Sequence, residues 1–203
     1  MDHNAVLEWW EEKAPTYFTD KVYEFSQKNL INQLHILESD KVLEIGFGYG
    51  RELSQFCKIS KNVYGVELFQ VTCDLVKDIP AKVQTYNGIN LPFEDKYFDV
   101  VYSCFVLQHM SRVTAINLII ESIRCLSDNG RLLMEFYGDP FYSHPIEDRY
   151  SGVPMKGGMY NNGYSFSDVQ TVLRNTGLQS RIEKQSVSVD GRNFCNYWGF
   201  INK

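Results

Sequence analysis

The stretch VLEIGFGYG, from Val42 to Gly50, joins a short apolar run to three glycines at every second position. The apolar run predicts a buried strand, and the spacing of the residues that follow predicts a helix. Glycines allow such a turn to approach a ligand closely, and the first turn of the helix offers unpaired backbone amides. Many α/β domains have glycine at this kind of turn, so the stretch by itself predicts a ligand site only weakly.

Runs typical of strands alternate with runs typical of helices on the C-terminal side of this turn. The predicted strands are 41–46, 62–68, 82–86, 98–107 and 130–137, and the predicted helices are 50–58, 70–78 and 113–126. This alternation implies βαβ units and a mainly parallel sheet. Near the C-terminus, Ser165 and Asp168 predict a helix start, Gly177 its end, and the runs 178–189 and 194–202 an antiparallel hairpin.

Length and composition favour one domain over residues 1–203. Residues 1–38 have helical apolar spacing, and residues 138–164 are rich in proline, glycine and aromatic side chains. We expect both segments to form a lid over the ligand site, because long irregular insertions in compact domains usually serve function.

Charge and cysteine usage exclude several classes of protein. The net charge is -5 and no block of basic residues is present, which disfavours a nucleic-acid partner. The five cysteines are widely spaced and form no CxxC pair, which predicts reduced thiols and no metal site. No apolar stretch is long enough to span a bilayer. These features together predict a cytoplasmic protein without a membrane partner.

Two acidic residues make the glycine-rich turn more specific. Glu44 lies two residues before Gly46, where an anion would oppose a bound pyrophosphate, and Arg51 replaces the last glycine of the GxGxxG dinucleotide fingerprint. An acid here suits a ligand with a cationic amino group. Glu67 ends the second predicted strand, where it can accept hydrogen bonds from both hydroxyls of a ribose. The alternatives are an ion pair for Glu44 and an exposed helix-start acid for Glu67.

Four segments together resemble the class I S-adenosylmethionine-dependent methyltransferases, in particular the small-molecule branch with an LPF loop. The segments are VLEIGFGYG, VYGVEL, YNGINLPFEDKYFDVVYSCFVLQHM and LSDNGRLLMEF, and the similarity extends from Lys41 to about Tyr137. The resemblance implies a seven-stranded sheet of order 3-2-1-4-5-7-6 with strand 7 antiparallel. It also implies S-adenosylmethionine as the cofactor and methyl transfer to an oxygen or nitrogen of a small molecule by a monomer or homodimer.

The resemblance carries a set of cofactor-binding positions onto this chain. They are Glu44, Gly46, Gly48, Arg51, Glu67, Leu68, Asn87, Gly88, Ile89 and Cys104. The chain departs from the family at Asn87, where an aspartate usually contacts the adenine amino group. Asparagine keeps an acceptor oxygen and adds a donor that can face a ring nitrogen.

Methyl transfer from a sulfonium is an in-line displacement, so alignment supplies most of the rate enhancement and a base is needed only for some nucleophiles. His109, after the fourth predicted strand, and His144, in the 138–164 insert, are the candidate bases, although His109 also fits a structural role. Tyr17 resembles a tyrosine that covers the cofactor in many family members. Two other functions remain open: an inactive nucleoside-binding regulator and an NAD-linked oxidoreductase.

Overall fold

The computed structural model describes residues 11–12, 28–138, 163–189 and 192–203. Its strands are β1 (Lys41–Ile45), β2 (Asn62–Glu67), β3 (Lys82–Thr85), β4 (Phe98–Ser103), β5 (Leu126–Phe136), β6 (Gln179–Val189) and β7 (Arg192–Asn202). Its helices are α1 (Lys28–Asn32), α2 (Arg51–Phe56), α3 (Gln70–Leu75), α4 (Arg112–Cys125) and α5 (Phe166–Asn175), with a 3-10 turn at Leu107–His109.

The strands form one sheet in the order β3-β2-β1-β4-β5-β7-β6. Strands β1 to β5 pair in parallel, whereas β7 is antiparallel to both β5 and β6. The strand order and the antiparallel seventh strand confirm the predicted fold class. Because β1 lies between β2 and β4, the ends of all three strands meet at one edge of the sheet.

Side chains from alternate residues of the sheet enter two separate apolar clusters, so both faces of the sheet are covered. Leu43 belongs to the cluster that includes residues of α4 and α5. Val42 belongs to the other, which includes residues of α1 and α2. The described C-terminal part of the predicted 1–38 lid therefore contributes to the core. Residues 1–10 and 13–27 of that segment lie outside the described residues.

The C-terminal region follows the predicted signals closely. Ser165 caps α5 through a reciprocal pair of hydrogen bonds with Asp168, and Gly177 has a φ of 68° two residues after the helix ends. The β6–β7 hairpin pairs Val189 with Arg192, so its connection is shorter than the predicted 190–193.

Strand β4 ends at Ser103 rather than at the predicted residue 107. The chain turns sharply there because Phe105 has a φ of 57°, which is incompatible with an extended strand, and the 3-10 turn follows. The two ends of the predicted 138–164 insert pair with each other, since Tyr164 N–H donates to the carbonyl of Tyr137 at 2.8 Å. The residues between 138 and 163 lie outside the described part of the chain.

No helix among the described residues has the length and apolar content that a membrane span requires.

Candidate functional site

The glycine-rich turn after β1 packs against the end of β2 and against the segment that follows β4. Gly46 has a φ of 73°, and a Cβ at this position would overlap the side chain of Val106. Its N–H donates to the carbonyl of Val66 at 2.9 Å. The turn is therefore held between two neighbouring strand ends, and a larger residue than glycine would push it away from Val106.

Glu67 is tied directly to this turn. Its Oε1 accepts a hydrogen bond from Gly48 N–H at 2.8 Å, and its Oε2 accepts one from Leu68 N–H at 3.0 Å. Burial raises the pKa of the Glu67 carboxyl, and the two amide hydrogen bonds act in the opposite direction. Each carboxylate oxygen has a second lone pair, so the group can still accept hydrogen bonds from two ribose hydroxyls.

Glu44 is buried at the C-terminal half of β1, with only 2% of its surface exposed. Within the part of the chain that the structure describes, its Oε2 makes no hydrogen bond. Burial and the neighbouring Glu52 carboxylate raise the pKa of the Glu44 carboxyl group well above the usual range. The charge of Arg51 opposes this rise, and that of Glu67 adds to it. A buried carboxylate in this situation is stabilised by a cationic ligand, and an ammonium group supplies both the charge and a donor.

Glu52 was not predicted from the sequence to belong to the site. It is buried at the start of α2, and its Oε1 accepts a hydrogen bond from Arg51 Nε at 2.6 Å. The guanidinium of Arg51, one of the predicted cofactor-binding positions, is therefore engaged by its neighbour in the chain. An acid in the first helical turn is an ordinary helix-start signal, so the sequence alone does not distinguish Glu52 from a solvent-exposed residue.

The loop after β3 contains three of the predicted cofactor-binding positions, Asn87, Gly88 and Ile89. Asn87 Oδ1 accepts hydrogen bonds from Ile89 N–H at 2.9 Å and from Asn90 N–H at 2.8 Å. The acceptor oxygen that we expected to be available for the adenine amino group thus stabilises the loop itself. Gly88 has a φ of 75°, and the Ile89 side chain is 38% exposed, which leaves an apolar surface beside the turn.

Strand β5 contributes a buried carboxylate at the end of β4. Glu135 Oε2 accepts hydrogen bonds from Phe105 N–H at 2.8 Å and from Cys104 Sγ at 3.3 Å, and Oε1 accepts one from Asn196 Nδ2. Burial raises the pKa of Glu135 to about 7, although these three hydrogen bonds lower it. Cys104 thus belongs to a polar group that fixes the left-handed turn at Phe105. Sequence reasoning missed Glu135 because LLMEF is typical of a buried strand.

Of the two candidate bases, the described part of the chain includes His109 only. His109 ends the 3-10 turn, and its backbone N–H donates to the carbonyl of Val106, the residue that packs on the glycine-rich turn. This places His109 at the predicted edge of the sheet. His144 and Tyr17 lie outside the described residues. Among the described residues, no group of histidine, cysteine and acidic side chains could hold a metal ion.

Residues 43–134 match the model of the methyltransferase domain family. Two mammalian proteins named "Probable tRNA methyltransferase 9B" are similar in sequence. The mouse protein is 29% identical over 66% of this chain and 30% of its own length, and the human protein is 25% identical over 89% of this chain and 41% of its own length. The chain thus spans less than half the length of these relatives.

Solved structures share the fold. A putative methyltransferase from Haloferax volcanii, in complex with the Trm112 methyltransferase activator, superposes with a TM-score of 0.74 at 15% identity and covers 97% of this chain and 96% of its own. The 1,6-didemethyltoxoflavin-N1-methyltransferase of Burkholderia thailandensis, with bound S-adenosylhomocysteine, also gives 0.74, at 14% identity over 98% of this chain and 88% of its own. The family model and the sheet topology agree: residues 43–134 match a methyltransferase domain, and the sheet has the fold of the class I S-adenosylmethionine-dependent methyltransferases.

Proposed function

We propose that this protein transfers the methyl group of S-adenosylmethionine to an oxygen or nitrogen atom of a small-molecule metabolite or natural product. The observation that carries the proposal is the hydrogen bond between Gly48 and Glu67 beside the buried Glu44. Glu67, the glycine-rich turn and the buried carboxyl group of Glu44, whose Oε2 makes no hydrogen bond to a described residue, thus lie at one edge of the sheet. This combination fits a nucleoside with a cationic amino-acid tail better than it fits a pyrophosphate.

The proposed cofactor contacts follow from this arrangement. Glu44 holds the α-ammonium group, the turn at Gly46 and Gly48 passes close to the amino-acid tail, and Glu67 holds the ribose hydroxyls. The adenine ring lies between the apolar side chains of Leu68 and Ile89, and its polar edge faces Asn87 and Gly88. Arg51 holds the carboxylate of Glu52 in place, and Cys104 lies at the end of β4. S-adenosylmethionine supplies the electrophilic methyl group, and the protein aligns the acceptor and excludes water.

Binding of S-adenosylhomocysteine tests the first half of the proposal. At a concentration 100 times its dissociation constant, this ligand should stabilise the folded protein by about 2.7 kcal/mol and raise its melting temperature. Glu67→Ala should weaken binding by about 1–2 kcal/mol, because the ribose hydroxyls lose a charged acceptor. Calorimetry measures both quantities. Binding of NADH without binding of S-adenosylhomocysteine would instead support an oxidoreductase.

Transfer RNA is a second candidate substrate, because the mammalian relatives carry the name of a probable tRNA methyltransferase. Against it, the chain has a net charge of -5 and no block of basic residues to meet a phosphate backbone. The small-molecule assignment therefore remains the preferred proposal.

One labelling experiment distinguishes tRNA from small molecules as the substrate class. The protein is incubated with methyl-labelled S-adenosylmethionine and either total tRNA or a protein-free extract of small metabolites. We expect label only in the metabolite fraction, and a reaction without the protein provides the control for enzyme-independent methylation. Label incorporated into tRNA in the presence of the wild-type protein and not in that control contradicts the small-molecule proposal while retaining the methyltransferase assignment.

A further inference from the structure

One residue outside the proposed cofactor contacts, Arg124, uses three of its five side-chain N–H donors on the loop that follows β3. Arg124, in the last turn of α4, donates from Nη1 to the carbonyl of Phe93 at 2.9 Å and from Nη2 to the carbonyl of Leu91 at 3.0 Å. The remaining N–H groups donate to Asp95 at 2.7 Å and to both oxygens of Glu121 at 2.8 Å. The five donors of the guanidinium are thus fully used.

Glu121 completes the arrangement from one helical turn earlier. Its Oε2 accepts a hydrogen bond from Leu91 N–H at 3.0 Å, so both backbone groups of Leu91 are bound by side chains of α4. The hydrogen bonds from Arg124 lower the pKa of Glu121 despite the opposing effect of burial, so the carboxylate stays ionised at neutral pH. We call Glu121 and Arg124 the α4 clamp.

The clamped segment is continuous with the proposed adenine-binding turn. Tyr86 N–H donates to the carbonyl of Glu67 at 2.9 Å, which fixes the start of the loop to the end of β2. Leu91, only 3% exposed, is buried in the core and is held by the α4 clamp at the other end. Gly88 and Ile89 lie between these two anchors. Irregular backbone needs partners from other elements, and here the clamp provides them.

A charged pair at the surface usually contributes little to stability. The side chains of the α4 clamp are 30% and 18% exposed, but three of their hydrogen bonds go to backbone groups of one loop. Loss of the clamp therefore affects the position of that loop more than the stability of the sheet beneath it. This distinguishes the clamp from an ion pair such as Arg181–Glu183 on β6, which holds no loop backbone.

We propose that Glu121 and Arg124 are positioning residues for the cofactor: they hold residues 87–93 in the conformation that receives the adenine ring, without touching the cofactor themselves. The inference rests on the proposed binding of an S-adenosyl nucleoside. It identifies two residues, in a helix outside the proposed cofactor contacts, that set the affinity of the site.

The test compares Arg124→Ala, Arg124→Lys and, as a matched control, Arg181→Ala. Calorimetry with S-adenosylhomocysteine should show a dissociation constant about tenfold higher for Arg124→Ala, a smaller increase for Arg124→Lys, and no change for Arg181→Ala. Lysine restores part of the affinity because it keeps the charge and can reach one carbonyl. Hydrogen exchange on the ligand-free proteins should be faster in residues 87–93 and unchanged in residues 44–50 for both Arg124 variants.

Several outcomes overturn the inference. One is an Arg124→Ala affinity within twofold of wild type. Another is faster exchange in the glycine-rich turn as well as in the loop, which would indicate general destabilisation. If Arg124→Ala does not fold, the same two measurements on Arg124→Lys test the inference. Failure of the wild-type protein to bind S-adenosylhomocysteine refutes the proposed function, whereas binding that is insensitive to Arg124 refutes the clamp alone.

Discussion

Replacement of Glu44 by glutamine is expected to weaken the binding of S-adenosylmethionine about 30-fold near neutral pH, which corresponds to about 2 kcal/mol. The variant keeps the shape of the side chain and removes its charge. In the folded protein Glu44 is almost fully buried, and its Oε2 makes no hydrogen bond to any described residue. The α-ammonium group of the cofactor would then lose the one negative charge that the buried end of β1 offers it.

The same carboxylate should make wild-type binding depend on pH. Burial and the charge of Glu52 raise the pKa of Glu44 in the ligand-free protein; Arg51 opposes the rise, and Glu67 adds to it. An ammonium ligand favours the ionised form, so the pKa is lower in the complex than in the free protein. Between these two pKa values binding releases a proton, and the dissociation constant should increase by up to about tenfold for each unit of decrease in pH.

Calorimetric titrations at about pH 7.5 and about pH 5.5 measure both effects. We expect strong pH dependence for the wild type and little for Glu44→Gln. Glu38→Gln is a suitable control, because Glu38 is an exposed acid paired with Lys61 just before β1. Equal affinities of wild type and Glu44→Gln at both pH values would contradict the assignment of the ammonium group to Glu44.

The order of the strands was predictable because each signal is local. An apolar run followed by glycines specifies β1 and its turn, and an acid after a second apolar run specifies the end of β2. The capping box at Ser165 and the stop at Gly177 are similarly encoded within a few residues. Parallel pairing then brings the separate motifs to one edge, which the hydrogen bond from Gly48 to Glu67 confirms.

Other parts of the site depend on contacts between residues far apart in the sequence. Glu135 lies in a run that is typical of a buried strand, and its role appears only when β4 and β5 pair and Phe105 N–H reaches its carboxylate. Arg124 is spaced like an ordinary solvent-facing helix residue, yet it binds two carbonyls about thirty positions earlier. Hydrophobic periodicity predicts which face of an element is buried, not which loop a polar side chain meets.

The early end of β4 also depends on a contact between residues far apart in the sequence. The apolar residues from 104 to 107 continue the strand pattern, so the sequence predicts four more strand residues than the fold contains. The turn is stabilised by Glu135, which accepts the amide of Phe105 and so offsets the cost of its left-handed conformation. A tertiary hydrogen bond therefore overrides the local preference for an extended chain.

The last prediction concerns the proton that a hydroxyl acceptor must lose. We expect either His109→Ala or His144→Ala to lower turnover at least about 100-fold, because removal of a general base usually has an effect of this size. Binding of S-adenosylmethionine should be unaffected, since neither histidine is among the proposed cofactor contacts. His109 follows β4 at the sheet edge that carries the glycine-rich turn, which makes it the first variant to test.

Turnover is measured on the identified acceptor, alongside calorimetric binding of S-adenosylhomocysteine to each variant. His35→Asn is the matched control: His35 precedes β1, and its φ of 46° is tolerated by asparagine, so the variant should retain full activity. If both His109→Ala and His144→Ala keep more than half of wild-type turnover, histidine base catalysis is wrong. The rate enhancement would then come from alignment alone, as is sufficient for an amine that is already neutral, or from a tyrosine such as Tyr17.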